Sequence, residues 1–314
     1  MLEFRSIMTK IFKYEHKSEA CSLLATVASV IIMLLFSDTV SRSIKQGIKI
    51  SALSVIPSVF PFLILADYFS SNINISMKNS ITQRIFHLQS GCDGAMLCGL
   101  ICGFPCGIKY ALSLYHEKHI DKSELERIIG LINNPSLAFV VSGVGMGMLN
   151  SLSDGVILYL SLIISIFIIS RLSVNANKKT KNMADIPRQS FSFSSSIKNA
   201  GYSSLTISSF IIFFSAILGV VQELVTDAIL YAMIASFFEI GNASTIITAQ
   251  RINVFLKFIL LGFCLGFSGF SVHLQAFELL PKDISKNKYF KCKILEGLLS
   301  GVIAGILKTL QSII

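Results

Sequence analysis

The chain has 314 residues, 53% of them hydrophobic and only 14% charged, with a mean hydropathy of +0.68. That balance excludes an ordinary soluble fold, which needs more polar surface, and several apolar runs are long enough to cross a bilayer core. The net charge of +9 does not point to nucleic acid. Lys and Arg collect between apolar runs, as in cytoplasmic loops, and no aromatic-interleaved basic motif is present.

Residues 1–44 form a basic N-terminal segment and a first membrane helix. Arg5, Lys10, Lys13 and Lys17 precede the apolar run from Cys21 to Phe36. The charge order is that of a signal peptide, but Ser37-Asp38-Thr39 offers no small-residue cleavage site, so the helix is retained. The first half follows at 45–173. Its segment 46–69 starts amphipathic, with Lys45 and Lys49, and holds Pro57 and Pro61. If the basic loops all face the cytoplasm, one segment per half must be re-entrant or broken, and 46–69 is the first candidate. Its counterpart is 200–222, whose Ser and Thr hydroxyls can satisfy freed backbone groups.

Segment 92–114 carries a second kind of interruption. Gly99, Gly103 and Gly107 recur at spacing four, a small-residue stripe that lets helices approach. Pro105 lies between two of them, where it removes a backbone donor and clashes one turn back. Cys98, Cys102 and Cys106 share this face, but no His or acidic partner joins them, so packing is expected and no metal or cofactor. Asp121 and Glu124 have capping-box spacing. The helix they start, with Leu125, Ile128, Ile129 and Ile132, is expected at the membrane surface. Asn133-Asn134-Pro135 then reads as the start of a new helix, since Asn caps and Pro suits the first turn.

A linker at 174–196 carries Lys178, Lys179, Lys181 and Arg188 with a serine run and should be cytoplasmic and poorly ordered. The second half spans 197–314. Glu239 ends an apolar run in "IASFFEIGN", where an acidic residue is a functional candidate, and Asn242 can cap the next segment. Gly266-Phe267-Ser268-Gly269 weakens a later helix, and His273 and Gln275 follow it. Lys282, Lys286, Lys288, Lys291 and Lys293 mark a basic loop before a last segment with Gly297, Gly301 and Gly305.

The halves resemble each other: "LSVIPSVFPFLILAD" matches "LTISSFIIFFSAILG", and "CGFPCGIKYALSL" matches "LGFSGFSVHLQAF". A weak internal repeat with interrupted hydrophobic segments is the sequence pointer to a transporter-type fold. The reading is an all-α polytopic membrane protein of about eight or nine hydrophobic segments, in two homologous halves with broken or re-entrant helices. The expected breaks are Gly103, Pro105 and Gly107, matched by Ser268 and Gly269. The expected solute-binding residues are Asn133, Asn134, Glu239, Asn242, His273 and Gln275.

The motifs "SALSVIPSVFPFLILAD", "GFPCGIK", "LINNPSLAFVVSGVGMGML", "FFEIGN" and "LGFSGFSVHLQ" resemble those of the sporulation integral membrane protein YlbJ group, over about residues 45–310. Their Gate-type segments are also called the nucleoside recognition domain and occur in nucleoside and ferrous-iron transporters. The resemblance implies a role in endospore formation, in the mother-cell or forespore membrane. It makes a permease-like gate for a small polar solute the natural expectation, nucleoside-type or other. The alternative is a non-transporting scaffold for spore envelope or cortex assembly. An enzyme is not expected, because no Ser/His/Asp, HExxH or paired-carboxylate arrangement falls in the apolar segments. The expected partners are the bilayer, a small polar solute and a further copy of the chain, with no nucleic acid.

Overall fold

A computed structural model of the chain describes residue 24 and residues 26–72, 81–89, 91–173 and 192–313. The basic N-terminus up to residue 23 and the linker residues 174–191 lie outside the described residues. The described chain is helical, with no strand. After a short apolar helix, Thr26–Leu35, α1 (Ser37–Ile50) passes through a π-helical turn (Ser51–Val55) into α2 (Ile56–Asn72). Segment 46–69 is therefore one continuous helix and not a re-entrant one. The reason is local. Pro57 would press on the carbonyl of Leu53 in a regular helix, and Leu53 lies inside the widened turn. Ser58 Oγ donates to the Ser54 and Val55 carbonyls at 2.8 and 2.9 Å, so carbonyls near the prolines are satisfied within the helix.

The breaks fall elsewhere. Short helices α3 (Ile81–Phe86) and α4 (Cys92–Leu97) lead into a π-helical segment, Cys98–Cys102, and the chain leaves the helix at Gly103. It re-enters at α5 (Cys106–His116). Then come α6 (Lys122–Ile128), an irregular stretch to Ser136, a π-helical segment (Phe139–Met146) and the long α7 (Leu152–Leu172). Beyond the linker, α8 (Phe193–Leu224) is followed by α9 (Ala228–Phe238) and α10 (Ile240–Ala249), split at Glu239. α11 (Val254–Phe267) and α12 (Gly269–Leu279) are split at Ser268, and α13 (Asn287–Ile313) closes the chain.

Four described helical stretches are long and apolar enough to cross a membrane: Ser37–Leu65, Leu152–Leu172, Phe193–Leu224 and Val254–Leu279. α8 packs along α1 and α2, while α13 packs along α11 and α7. The α11–α13 crossing uses the glycine stripes. A Cβ on Gly266 would stand 2.8 Å from the Glu296 carbonyl oxygen and 2.9 Å from Gly297 Cα, so only glycine allows this approach. On the opposite face of α13, Leu298, Val302, Ile306 and Leu310 are exposed at spacing four, the pattern of a lipid-facing stripe.

Two expectations are corrected here. The apolar face of helix α6 does not pack on lipid: Leu125, Ile128, Ile129 and Ile132 are fully buried in a core with Leu114 and Tyr289. The basic stretch 282–293 is not all loop either. α13 begins at Asn287, and Lys293 has no exposed surface.

Candidate functional site

Four interruptions converge, and each is built by local chemistry. Gly103 has φ 79°, a left-handed conformation that favours glycine. A Cβ there would also stand 2.8 Å from Ser136 Cα. Phe104 N–H donates to the Asn134 carbonyl at 2.8 Å, which ties the first break to the second. Tyr159 Oη donates to the Leu100 carbonyl at 2.8 Å, so a carbonyl before the break is satisfied by a side chain. The second half mirrors this. Ser268 and Gly269 have φ 73° and 77°, and a Cβ on Gly269 would stand 3.0 Å from the Phe238 carbonyl oxygen. A left-handed serine is sparsely populated and marks a held conformation.

Between the breaks lies a cavity. Cys102 and Phe104 reach it from the first break, Ser136 from the second, Glu239 and Gly241 from the third, and Ser271 and Gln275 from just beyond the fourth. Val55, Val59, Ile207 and Ile211 complete its apolar wall. The space open to the centre of a water-sized sphere is ≈ 30 Å³, room for on the order of two waters. Glu239 is 2% exposed and caps α10. Its carboxylate accepts from Gly241 N–H at 2.9 Å, from Asn242 N–H at 2.6 Å and from Asn242 Nδ2 at 3.0 Å. The positive end of a helix thus faces a buried carboxylate. Asn242 does not cap; it sits in the first turn and accepts from Ser215 Oγ at 2.8 Å. Ser271 Oγ is buried with no protein hydrogen-bond partner.

Asn133 and Asn134 belong to a second buried cluster and are not helix caps. Ser136 Oγ caps the next helix, accepting from Phe139 N–H at 3.1 Å. The asparagines are drawn instead to α13. Lys293 Nζ spends its three donors on Asn133 O at 3.1 Å, Asn134 Oδ1 at 3.1 Å and Glu296 Oε2 at 2.8 Å. Asn133 Nδ2 donates to Tyr289 Oη at 2.8 Å, and Tyr289 Oη meets His273 Nδ1 at 2.8 Å. The His273 ring stands edge-on to Phe267, Tyr289 and Phe290. So Glu239 and Gln275 line the cavity, while Asn133, Asn134 and His273 form a neighbouring tie between the two halves of the chain.

Sequence reasoning missed Ser136, Ser271, Tyr289, Lys293 and Glu296. A signal for Lys293 existed: it stands four residues before Gly297, so it extends the buried row Gly297, Gly301 and Gly305. Among the described residues, no group of three or more His, Cys, Asp or Glu side chains is placed to hold a metal ion.

No family model matches the chain, and no solved structure matches it. A curated protein does: the sporulation integral membrane protein YlbJ of Bacillus subtilis (strain 168). It is 24% identical over 317 aligned positions, which cover 84% of this chain and 76% of the relative.

Proposed function

We propose that the chain, which is similar to a YlbJ sporulation integral membrane protein, is a permease-like gate for a small polar solute during endospore formation. In this reading it has two related halves, each with a long helix, two interrupted segments and a closing long helix. The observation that carries the reading is a cavity lined by residues at or just beyond all four interruptions, with Glu239 buried on its wall. Broken helices around a shared interior site are the arrangement by which membrane transporters present helix ends to a solute. A carboxylate at mid-bilayer costs about 2.5–3.5 kcal/mol on insertion scales, and three hydrogen bonds on one helix start offset that cost here.

The groups with capacity for a solute set its chemistry. Ser271 Oγ is unpartnered, Gln275 presents an amide, and Glu239 Oε1 accepts a single bond. A neutral solute with both donors and acceptors suits them. The narrow cavity means that a solute larger than water needs a second, more open arrangement, which fits a gate that alternates.

Replacing Glu239 with Gln tests this in a spore-forming host. The variant removes the charge and keeps one oxygen for the helix start, so the chain is expected to remain expressed in the membrane, with loss of heat-resistant spores. Parental spore yield with the variant expressed would overturn the gate reading. It would favour the scaffold reading, for which the buried Lys293 tie supplies the rigidity.

A further inference from the structure

A second opening lies along the bundle from the cavity. Its walls are Gln46, Lys49 and Ser54 on α1 and the π-turn, Gly147 and Met148 at the end of the second π-helical segment, and Thr245 and Thr248 on α10. It offers ≈ 360 Å³ to the centre of a water-sized sphere, against ≈ 30 Å³ in the cavity. Ile50, Leu53 and Ala249 add apolar lining; beyond it the α10–α11 connection holds exposed Arg251 and Asn253, and Lys257 Nζ donates to the Thr248 carbonyl at 3.0 Å.

Three segments run from one space to the other. The π-turn and α2 present Ser54 to the groove and Val55 and Val59 to the cavity. The second π-helical segment presents Phe139 to the cavity and, at its far end, Gly147 and Met148 to the groove. α10 presents Gly241 to the cavity and, one and two turns later, Thr245 and Thr248 to the groove. Two of these three walls are π-helical, a wider and less regular form that recurs at functional sites. Across the seam, Thr245 Oγ1 meets Met148 Sδ at 3.9 Å, while the same hydroxyl donates to the Gly241 carbonyl at 3.0 Å. Met is flexible enough to swing aside without unfolding its neighbours.

We infer that the groove is the vestibule of the Glu239 cavity, that a small polar solute passes along this seam, and that Met148 against Thr245 closes it. The inference rests on the gate reading for its solute, but not for its test. Cys102 lines the cavity and is a native reporter of access. The full chain is reconstituted in lipid nanodiscs and exposed to a small sulfonated methanethiosulfonate. Peptide mass spectrometry follows modification of Cys102; the charged reagent does not arrive through lipid. Met148→Ala is expected to raise the rate severalfold, Met148→Leu to leave it near the parent, and Thr248→Trp to lower it. Thr248→Trp is also expected to cancel the gain in a Met148→Ala background. Unchanged rates in both single variants, or a Met148→Ala gain that survives Thr248→Trp, would overturn the route. Thr248 sits on the half-exposed rim, so its variant remains informative should Met148→Ala fold poorly. Spore yield in Glu239→Gln reads the gate and Cys102 reads the route, so either can fail alone.

Discussion

Two buried carboxylates, Glu239 at a helix break and Glu296 inside the continuous α13, are neutralised in opposite ways. Glu239 is met by partial charges on its own helix start, the amides of Gly241 and Asn242. Glu296 is met by a full charge, Lys293, which also reaches 160 residues back to the Asn133 carbonyl. Glu239 faces a cavity; the Lys293–Glu296 pair has no exposed surface at all. Local dipoles hold a charge in place while leaving capacity to bind something else. An ammonium with all three donors committed binds nothing more and joins two distant parts of the chain. The first arrangement suits a site, and the second suits a tie.

The sharpest way to break that contrast is to remove the ammonium. Lys293→Met leaves Glu296 buried without its counter-charge and frees Asn134 Oδ1 and the Asn133 carbonyl. Losing one partner of a buried pair costs about 3–5 kcal/mol. A large fall in melting temperature in detergent, or loss of membrane expression, is expected. The double variant Lys293→Met/Glu296→Leu should recover most of that stability, because no lone charge remains. A double variant no more stable than Lys293→Met would show that the tie works through hydrogen bonds to the asparagines and not through charge.

The two regions meet physically at Gly266, on the helix that ends at Ser268 and against the Glu296 carbonyl. Gly266→Leu is expected to cost about 1–3 kcal/mol through overpacking, read as a lower denaturation midpoint. Gly201, which has nothing within 4 Å of a Cβ position, provides the control. Equal effects of Leu at both positions would mean that the α11–α13 crossing is loose.

Glu239→Gln is the milder test of the same contrast. Gln has one side-chain oxygen where Glu239 uses two, so either the Gly241 amide or the two Asn242 donors lose their acceptor. The expected stability loss is about 1–3 kcal/mol, against loss of function. A loss as large as that of Lys293→Met would make Glu239 a second tie and leave the cavity without its functional residue.

Much of this was legible in sequence where chemistry is local. Gly-Phe-Pro-Cys-Gly marked a break, because Pro105 and a left-handed Gly103 act on their own backbone. Asp121 Oδ1 accepts from Glu124 N–H at 2.8 Å, as the spacing implies. Glu239 stood out because a lone acid in an apolar run has few innocent explanations. What was not legible depended on partners far away in the chain. The asparagine pair reads as a cap until Lys293 arrives from 159 residues downstream. Lys293 reads as loop until the glycine row beyond it is packed against α11. Pro57 and Pro61 suggested a broken helix, but the helix runs on through both, with a π-turn and the Ser58 hydroxyl accommodating Pro57.

The smallest expected effect lies at the N-terminal end of the Lys293 helix, outside the membrane-spanning segments. Glu126 on α6 accepts from Ser285 N–H at 2.9 Å and meets Lys288 Nζ at 3.4 Å. These contacts dock the connection that leads into α13. The Ser285 amide first, then Lys288, holds the Glu126 carboxyl below its ordinary value, although burial pulls the other way. A depressed carboxyl contributes stability that is present above its unfolded value, about 4.3, and is lost as pH falls through the folded one. No change is therefore expected between pH 7 and about 5. Below that range the Ser285 amide should lose hydrogen-exchange protection, after correction for intrinsic exchange. With Lys288 half-exposed, the ion pair contributes only about 0.2–1 kcal/mol. Glu126→Gln should start with weaker Ser285 protection at pH 7 and show no acid step, while the Lys293 cluster stays protected. An acid step of equal size in the variant would assign the titration to another carboxyl, with Asp283, 3.6 Å from Lys122, the next to replace. An acid step that spread to the amides around Lys293 would show that docking of the connection and the buried tie form one cooperative unit.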